Sequence, residues 1–210
     1  MNRARDKSRP RRSPAMEQFF RAKQEYPDAL LFFRLGDFYE MFYEDAVLAS
    51  SMLELTLTSR GNDADGVPIP MAGVPYHAAA GYIARLIEQG QRVAICEQLE
   101  DPSKVKGIVP REVVRVITPA LALDSDSIDA RRPNFLVAIA RGEQAFGFAL
   151  LELGAAEVSA ASFASESELI AELARCEPRE ILLHGDADAL SSSLERMFPR
   201  SAVRKVDSSL

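Results

Sequence analysis

Residues 34–45 read R-L-G-D-F-Y-E-M-F-Y-E-D, and they hold the most chemically unusual grouping in the chain. In extended backbone, alternate side chains face opposite ways, so Phe38 and Glu40 share one side and Tyr39 and Met41 the other. A flat apolar ring beside a carboxylate, just past a Gly36-Asp37 turn, combines a stacking surface with a hydrogen-bond acceptor. Two readings fit that spacing. Either one side is core and the other is exposed, or Phe38 is packed inside and Glu40 is a solvated charge.

Other reactive residue types are sparse. His77 has no second His, Cys or carboxylate at ligand spacing, so neither a metal site nor a catalytic site is expected there. Cys96 sits in an apolar stretch and reads as a small core residue. Cys176 and His184 flank a helix-strand junction without a partner motif. With two cysteines, neither a disulfide framework nor a zinc knuckle is expected, which points to a reducing, cytoplasmic setting. No G-x-x-x-x-G-K-[ST] phosphate loop occurs, so ATP hydrolysis by that route is not expected and no cofactor is assigned. A nuclease would need clustered carboxylates to hold metal, and Glu152 has no convincing companions.

The chain has 210 residues and a net charge of −6, unevenly spread. Residues 1–12 carry six basic side chains against Asp6, whereas the rest of the chain is acidic. An acidic body argues against a generic phosphate clamp, which is normally basic. The 47% apolar content supports a globular core, and no apolar run is long enough to span a membrane.

These residues must be positioned by alternating helices and strands. Ser13-Pro14 reads as an N-cap with proline in the first turn. Met16, Phe19, Phe20 and Lys23 then predict one helix face, which Tyr26-Pro27 ends. Residues 29–35 predict a buried strand, 38–42 an extended stretch or helix entry, and 43–52 a helix. Leu53, Leu55 and Leu57 alternate with Glu54, Thr56 and Thr58, the period of a half-buried strand. Residues 60–75, with Pro68, Pro70 and Pro75, predict a stiffened loop. A helix over 77–89 with Gly90 as its cap follows, then strands at 91–99 and 111–118 separated by a polar loop.

The predicted organisation is a basic disordered tail at 1–13, an α/β domain with a mixed sheet at 14–119, a Ser/Asp/Pro linker at 120–133, and a second domain at 134–210. That second domain reads strand-strand-strand (135–140, 145–153, 157–163), helix (165–176), strand (180–184), helix (186–198). Its order resembles the opening of a ribonuclease-H-like α/β domain, left incomplete, and implies no nuclease activity. The tail reads as a solvated leader or as a source of weak, salt-sensitive attraction to nucleic acid.

Four strings in order, G-D-F-Y-E-M-F-Y-E-D-A, P-I-P-M-A-G-V-P-Y-H-A, V-A-I-C-E-Q and V-V-R-V-I-T-P, resemble the N-terminal part of the MutS family of bacterial DNA mismatch-repair proteins. Past the linker the likeness, to the start of the family's connector domain, rests on element order and strings such as G-F-A-L-L-E-L. The resemblance implies recognition of mismatched or unpaired bases in double-stranded DNA. The family's Phe-X-Glu motif falls on Phe38, Tyr39 and Glu40. It implies that Phe38 stacks on a base from the minor groove and that Glu40 hydrogen-bonds that base. Arg60 is then a candidate phosphate contact, and Met71, Tyr76 and His77 are candidates to brace the wedge or touch the groove. For all four, loop packing or solvation is the competing reading.

The resemblance further implies a MutL-like repair partner at the connector domain, and ATP with Mg, an ATPase and a homodimer only for the full-length family. This chain reads as a non-enzymatic fragment or stand-alone derivative. A regulatory or partner-binding remnant that does not bind DNA independently is the alternative.

Overall fold

The structure is a computed structural model describing residues 13–63, 65–100, 105, 107–121, 134–185 and 188–206. All of the predicted tail but Ser13, nearly all of the predicted linker and part of the 101–110 loop lie outside the described residues. Contacts divide the chain into two units, one of Met1–Leu86 with Arg92–Ile117 and one of Ile87–Gln91 with Thr118–Leu210. Among the described residues, no helix is long and apolar enough to cross a membrane.

In the first unit, helix α1 (Pro14–Glu25) begins as its sequence dictates, with the Ser13 hydroxyl accepting from the Met16 amide. Its apolar face buries Phe19 in edge-on contact with the rings of Phe20, Phe33 and Phe42, at centroid distances of 5.5, 5.7 and 5.1 Å. Burying one such ring stabilises the fold by about 1.5–3 kcal/mol. Strands β1 (Leu30–Leu35) and β2 (Phe38–Phe42) form a hairpin, and helix α2 (Tyr43–Leu53) follows directly.

Two expectations in this stretch are corrected. The predicted strand across Leu53, Leu55 and Leu57 does not form. Leu53 is the buried last residue of α2, and Glu54 closes the helix in the left-handed conformation at φ 59°. Leu57 is exposed, and strand β3 (Thr58–Asn62) starts only after it. The period-two pattern therefore straddled a helix end and a connection.

The predicted 60–75 loop is also largely sheet, since β4 (Pro68–Pro75) pairs with β3 on one side and β2 on the other. Its prolines are tolerated because Pro68 and Pro70 lie beyond the stretch paired with β2, and Pro75 ends the strand. A 3-10 turn (Tyr76–Ala78) leads into α3 (Ala79–Glu88), and Gly90 takes a positive φ just past its end. Strands β5 (Val93–Gln98) and β6 (Arg111–Ile117) complete a mixed sheet of order β3-β4-β2-β1-β5-β6, in which only β1 and β5 run parallel.

The second unit opens with the expected antiparallel meander, β7 (Phe135–Arg141), β8 (Phe146–Glu152) and β9 (Glu157–Phe163). Helix α4 (Glu166–Cys176), capped by Ser165, leads to β10 (Glu180–His184), which runs parallel to β7. Helix α5 (Asp188–Met197) then leads to β11 (Ala202–Val206), a strand the sequence reading passed over. The sheet order β11-β10-β7-β8-β9 agrees with the ribonuclease-H-like element order expected. Leu169, Leu173, Ile181, Leu183 and Leu194 form the centre of its separate core.

Candidate nucleic-acid interface

The β1–β2 hairpin closes through a two-residue loop, since Leu35 pairs with Phe38. Gly36 takes φ +60° at the first loop position, which a side chain would disfavour and a tight hairpin requires. Phe38 therefore stands at the very start of β2, and 46% of it is exposed. Further along the same side of the strand come Glu40, only 8% exposed, and Phe42, buried against Phe19. One face of β2 thus grades from open ring to recessed carboxylate to core. Neither pure reading of the spacing holds: Phe38 is not sealed inside, and Glu40 is not a solvated charge.

The opposite side of the strand is anchored. Tyr39 packs on Phe32 at 5.9 Å, and its hydroxyl donates to Glu97 Oε1 on β5. Burial first, and the Glu97 carboxylate second, push the Tyr39 phenol up to about 12. Met41 is fully buried.

Around the turn, Arg34 acts as a clasp that the sequence reading missed. Its Nε donates to the Gly36 carbonyl at 2.5 Å, and its guanidinium lies 3.6 Å from the centroid of the Tyr76 ring. Its Nη1 is 3.8 Å from Glu97 Oε2, and the Tyr76 amide donates to the Asp37 carbonyl at 3.0 Å. Arg34, Tyr76 and Glu97 therefore hold the turn that presents Phe38. Arg34 opens the R-L-G-D-F-Y-E string and Glu97 lies inside V-A-I-C-E-Q, so both stood in plain view. Nothing in their local spacing said that they meet.

Glu40 is held from β3. Its Oε1 accepts from Arg60 Nη1, while its Oε2 is buried without a hydrogen-bond partner among the described residues. Opposite Glu40 on β4 stands Gly73, where a Cβ would lie 3.6 Å from Glu40 Cγ and 3.9 Å from Phe38 Cδ1. The glycine leaves bare backbone beside both side chains.

The remaining candidates divide. Met71 is half-buried against the first-unit core, and its carbonyl accepts from the Thr58 hydroxyl at 3.1 Å. His77 is exposed, its ring edge-on to Tyr76 at 5.7 Å. Cys96 is fully buried, and burial pushes its thiol up to about 12. Among the described residues, no group of three or more His, Cys, Asp or Glu side chains is placed to hold a metal ion. An exposed ring beside a recessed carboxylate suits stacking and hydrogen bonding.

The family model described as MutS domain I matches residues 13–126, and that described as MutS domain II matches residues 134–208. The DNA mismatch repair protein MutS of Syntrophobacter fumaroxidans is 53% identical over 177 residues, covering 83% of this chain and 20% of that protein. The proteins of the same name from Sorangium cellulosum and Myxococcus xanthus are each 48% identical, over 207 and 194 residues. They cover 94% and 91% of this chain and 22% of each relative. The chain therefore spans about a fifth of the length of these relatives.

Proposed function

The chain belongs to the MutS family, carrying its domains I and II, and from that we propose that it recognises mismatched or unpaired bases in double-stranded DNA, with Phe38 as a wedge and Glu40 as the acceptor for the displaced base. The observation that carries this reading is the half-exposed Phe38 ring at the head of a strand whose next four residues are all buried. A flat ring held open on a clasped turn is a surface on which a base can stack.

Discrimination then comes from the DNA. Prying a stacked step apart costs a few kcal/mol in a sound duplex, and less where pairing is already damaged. The wedge therefore enters preferentially at the soft site, whatever its sequence. A carboxylate beside phosphates is repelled, and its place is justified where an exposed base edge donates a hydrogen bond to it. On this reading the chain is a recognition module that performs no bond chemistry of its own. A MutL-like partner at the second domain extends the same proposal.

The test is a binding titration of the 210-residue chain against mismatched and fully paired duplexes at low and moderate salt. Preference for the mismatch, lost in F38A, is the expected result. Losing a base-stacking contact of about 1–3 kcal/mol corresponds to a drop of roughly 5- to 150-fold. A mismatch preference untouched by F38A overturns the wedge. Absence of DNA binding at every salt concentration overturns the DNA reading and favours a partner-binding role, to which the net charge of −6 is well suited.

A further inference from the structure

Arg60 is the residue whose surroundings least match a simple phosphate contact. Its side chain is 53% exposed, yet its guanidinium turns inward from β3, across β4 in the sheet order, to the recessed Glu40 on β2. We propose that Arg60 is a positioning residue for mispair recognition: by engaging Oε1 of Glu40 it sets the carboxylate so that Oε2 is the oxygen left to accept from a mispaired base. The inference rests on the reading of Phe38 and Glu40 given above.

The unpaired oxygen is the main support. Buried polar atoms are nearly always hydrogen-bonded, and an unsatisfied one calls for a cause. Glu40 Oε2 is buried and has no partner among the described residues, although Glu40 itself sits opposite Phe33 on β1 and Gly73 on β4. A donor arriving from outside resolves that deficit. The base edge freed when Phe38 opens a weak step is such a donor, whereas a base still in its pair has its edge occupied. Gly73 lies directly alongside, since a Cβ there would reach ordinary contact distance of both Glu40 and Phe38. Without Arg60, a recessed carboxylate would be drawn toward water and lose its fixed orientation.

The experiment is a double-mutant cycle in the full chain, with wild type, E40Q, R60Q and the double variant titrated against matched and mismatched duplexes over a range of salt. R60K serves as the conservative control, and thermal melting checks that each variant folds. R60Q is expected to lower the mismatch-to-homoduplex affinity ratio about tenfold, as expected for losing one charged hydrogen bond. E40Q is expected to lower it as far, and the double variant no further than E40Q alone. R60K is expected to retain most of the ratio, and the salt slope is expected to be the same in R60Q as in wild type.

A salt slope reduced by about one with the ratio intact makes Arg60 a phosphate contact and overturns the inference. Independent, additive losses overturn it as well. If wild type shows no mismatch preference, or if E40Q leaves it unchanged, the reading of Phe38 and Glu40 itself fails, whatever Arg60 does.

Discussion

The two ends of strand β2 are built from the same materials and finished differently. Just past its end, Asp45 in the first turn of α2 is buried, and both its oxygens are occupied. Oδ1 accepts from Lys23 Nζ at 2.8 Å and Oδ2 from the Leu31 amide at 3.0 Å, while Lys23 also donates to the Ala29 carbonyl at 2.7 Å. That clip ties α1, β1 and α2 together. Near its beginning, Glu40 is equally buried and also meets a basic side chain, but one oxygen stays unsatisfied beside an exposed ring. In the second unit, Glu180 follows the Asp45 pattern: Oε1 meets Arg204 and Oε2 accepts from the Ala120 amide at 3.4 Å. Among the described residues, the buried carboxylates Asp45 and Glu180 have both oxygens bonded, and the half-bonded Glu40 lies at the proposed DNA-facing end.

The largest effect expected is at the sealed end. Asp45→Ala strands the Lys23 ammonium and the buried Leu31 amide together, and breaking a buried pair this way costs about 3–5 kcal/mol. The lower part of that range is expected, because the Lys23 side chain is partly exposed and can turn toward water. Urea unfolding should show the midpoint falling sharply with little change in slope. Near-wild-type stability in this variant would break the distinction between the two ends.

The two ends also differ in how far their sequence could be read. The Ser13 cap, the Phe19 stripe, the tight turn at Gly36-Asp37 and the turns of the meander are legible, because each is signalled by neighbours within about four residues, whereas Phe38 and Glu40 are singled out by the family resemblance. The strand around Leu55 failed because a helix ending at Leu53 and a connection through Leu57 happened to mimic alternation. Strand β4 was obscured by its prolines, whose cost depends on which neighbour each N–H would have faced. Strand β11 is five residues long, and its parallel pairing with β10 is its evident support. The meeting of Arg34 with Tyr76 and of Arg60 with Glu40 joins residues 42 and 20 positions apart, and no local period reports such contacts.

The two faces of β2 supply the next prediction. Tyr39 is raised to about 12 in the folded state from an ordinary value near 10. The protonated phenol is therefore favoured by folding, and its contribution is fully present below about pH 10. Between roughly pH 10 and 12 the unfolded chain releases this proton while the folded chain keeps it. Stability should then fall by up to about 1.4 kcal/mol per pH unit from this group. Y39F should flatten that part of the alkaline stability curve, and tyrosinate absorbance should show one phenol ionising late. An unchanged curve would mean that the far side of the strand is less anchored than the near side is open.

The smallest effect expected is the most discriminating. Glu40→Gln keeps the shape of the side chain and an oxygen for Arg60, while removing a buried charge whose partner is half in water. Pairs with such an exposed partner contribute about 0–1 kcal/mol, and the desolvation of Glu40 is relieved at the same time. Stability should therefore change by less than about 1 kcal/mol in either direction, at least threefold less than in Asp45→Ala, while the mismatch preference falls. A loss in E40Q comparable to that in Asp45→Ala would place Glu40 among the residues that hold the sheet together, and the unpaired oxygen would no longer distinguish a binding carboxylate from a structural one.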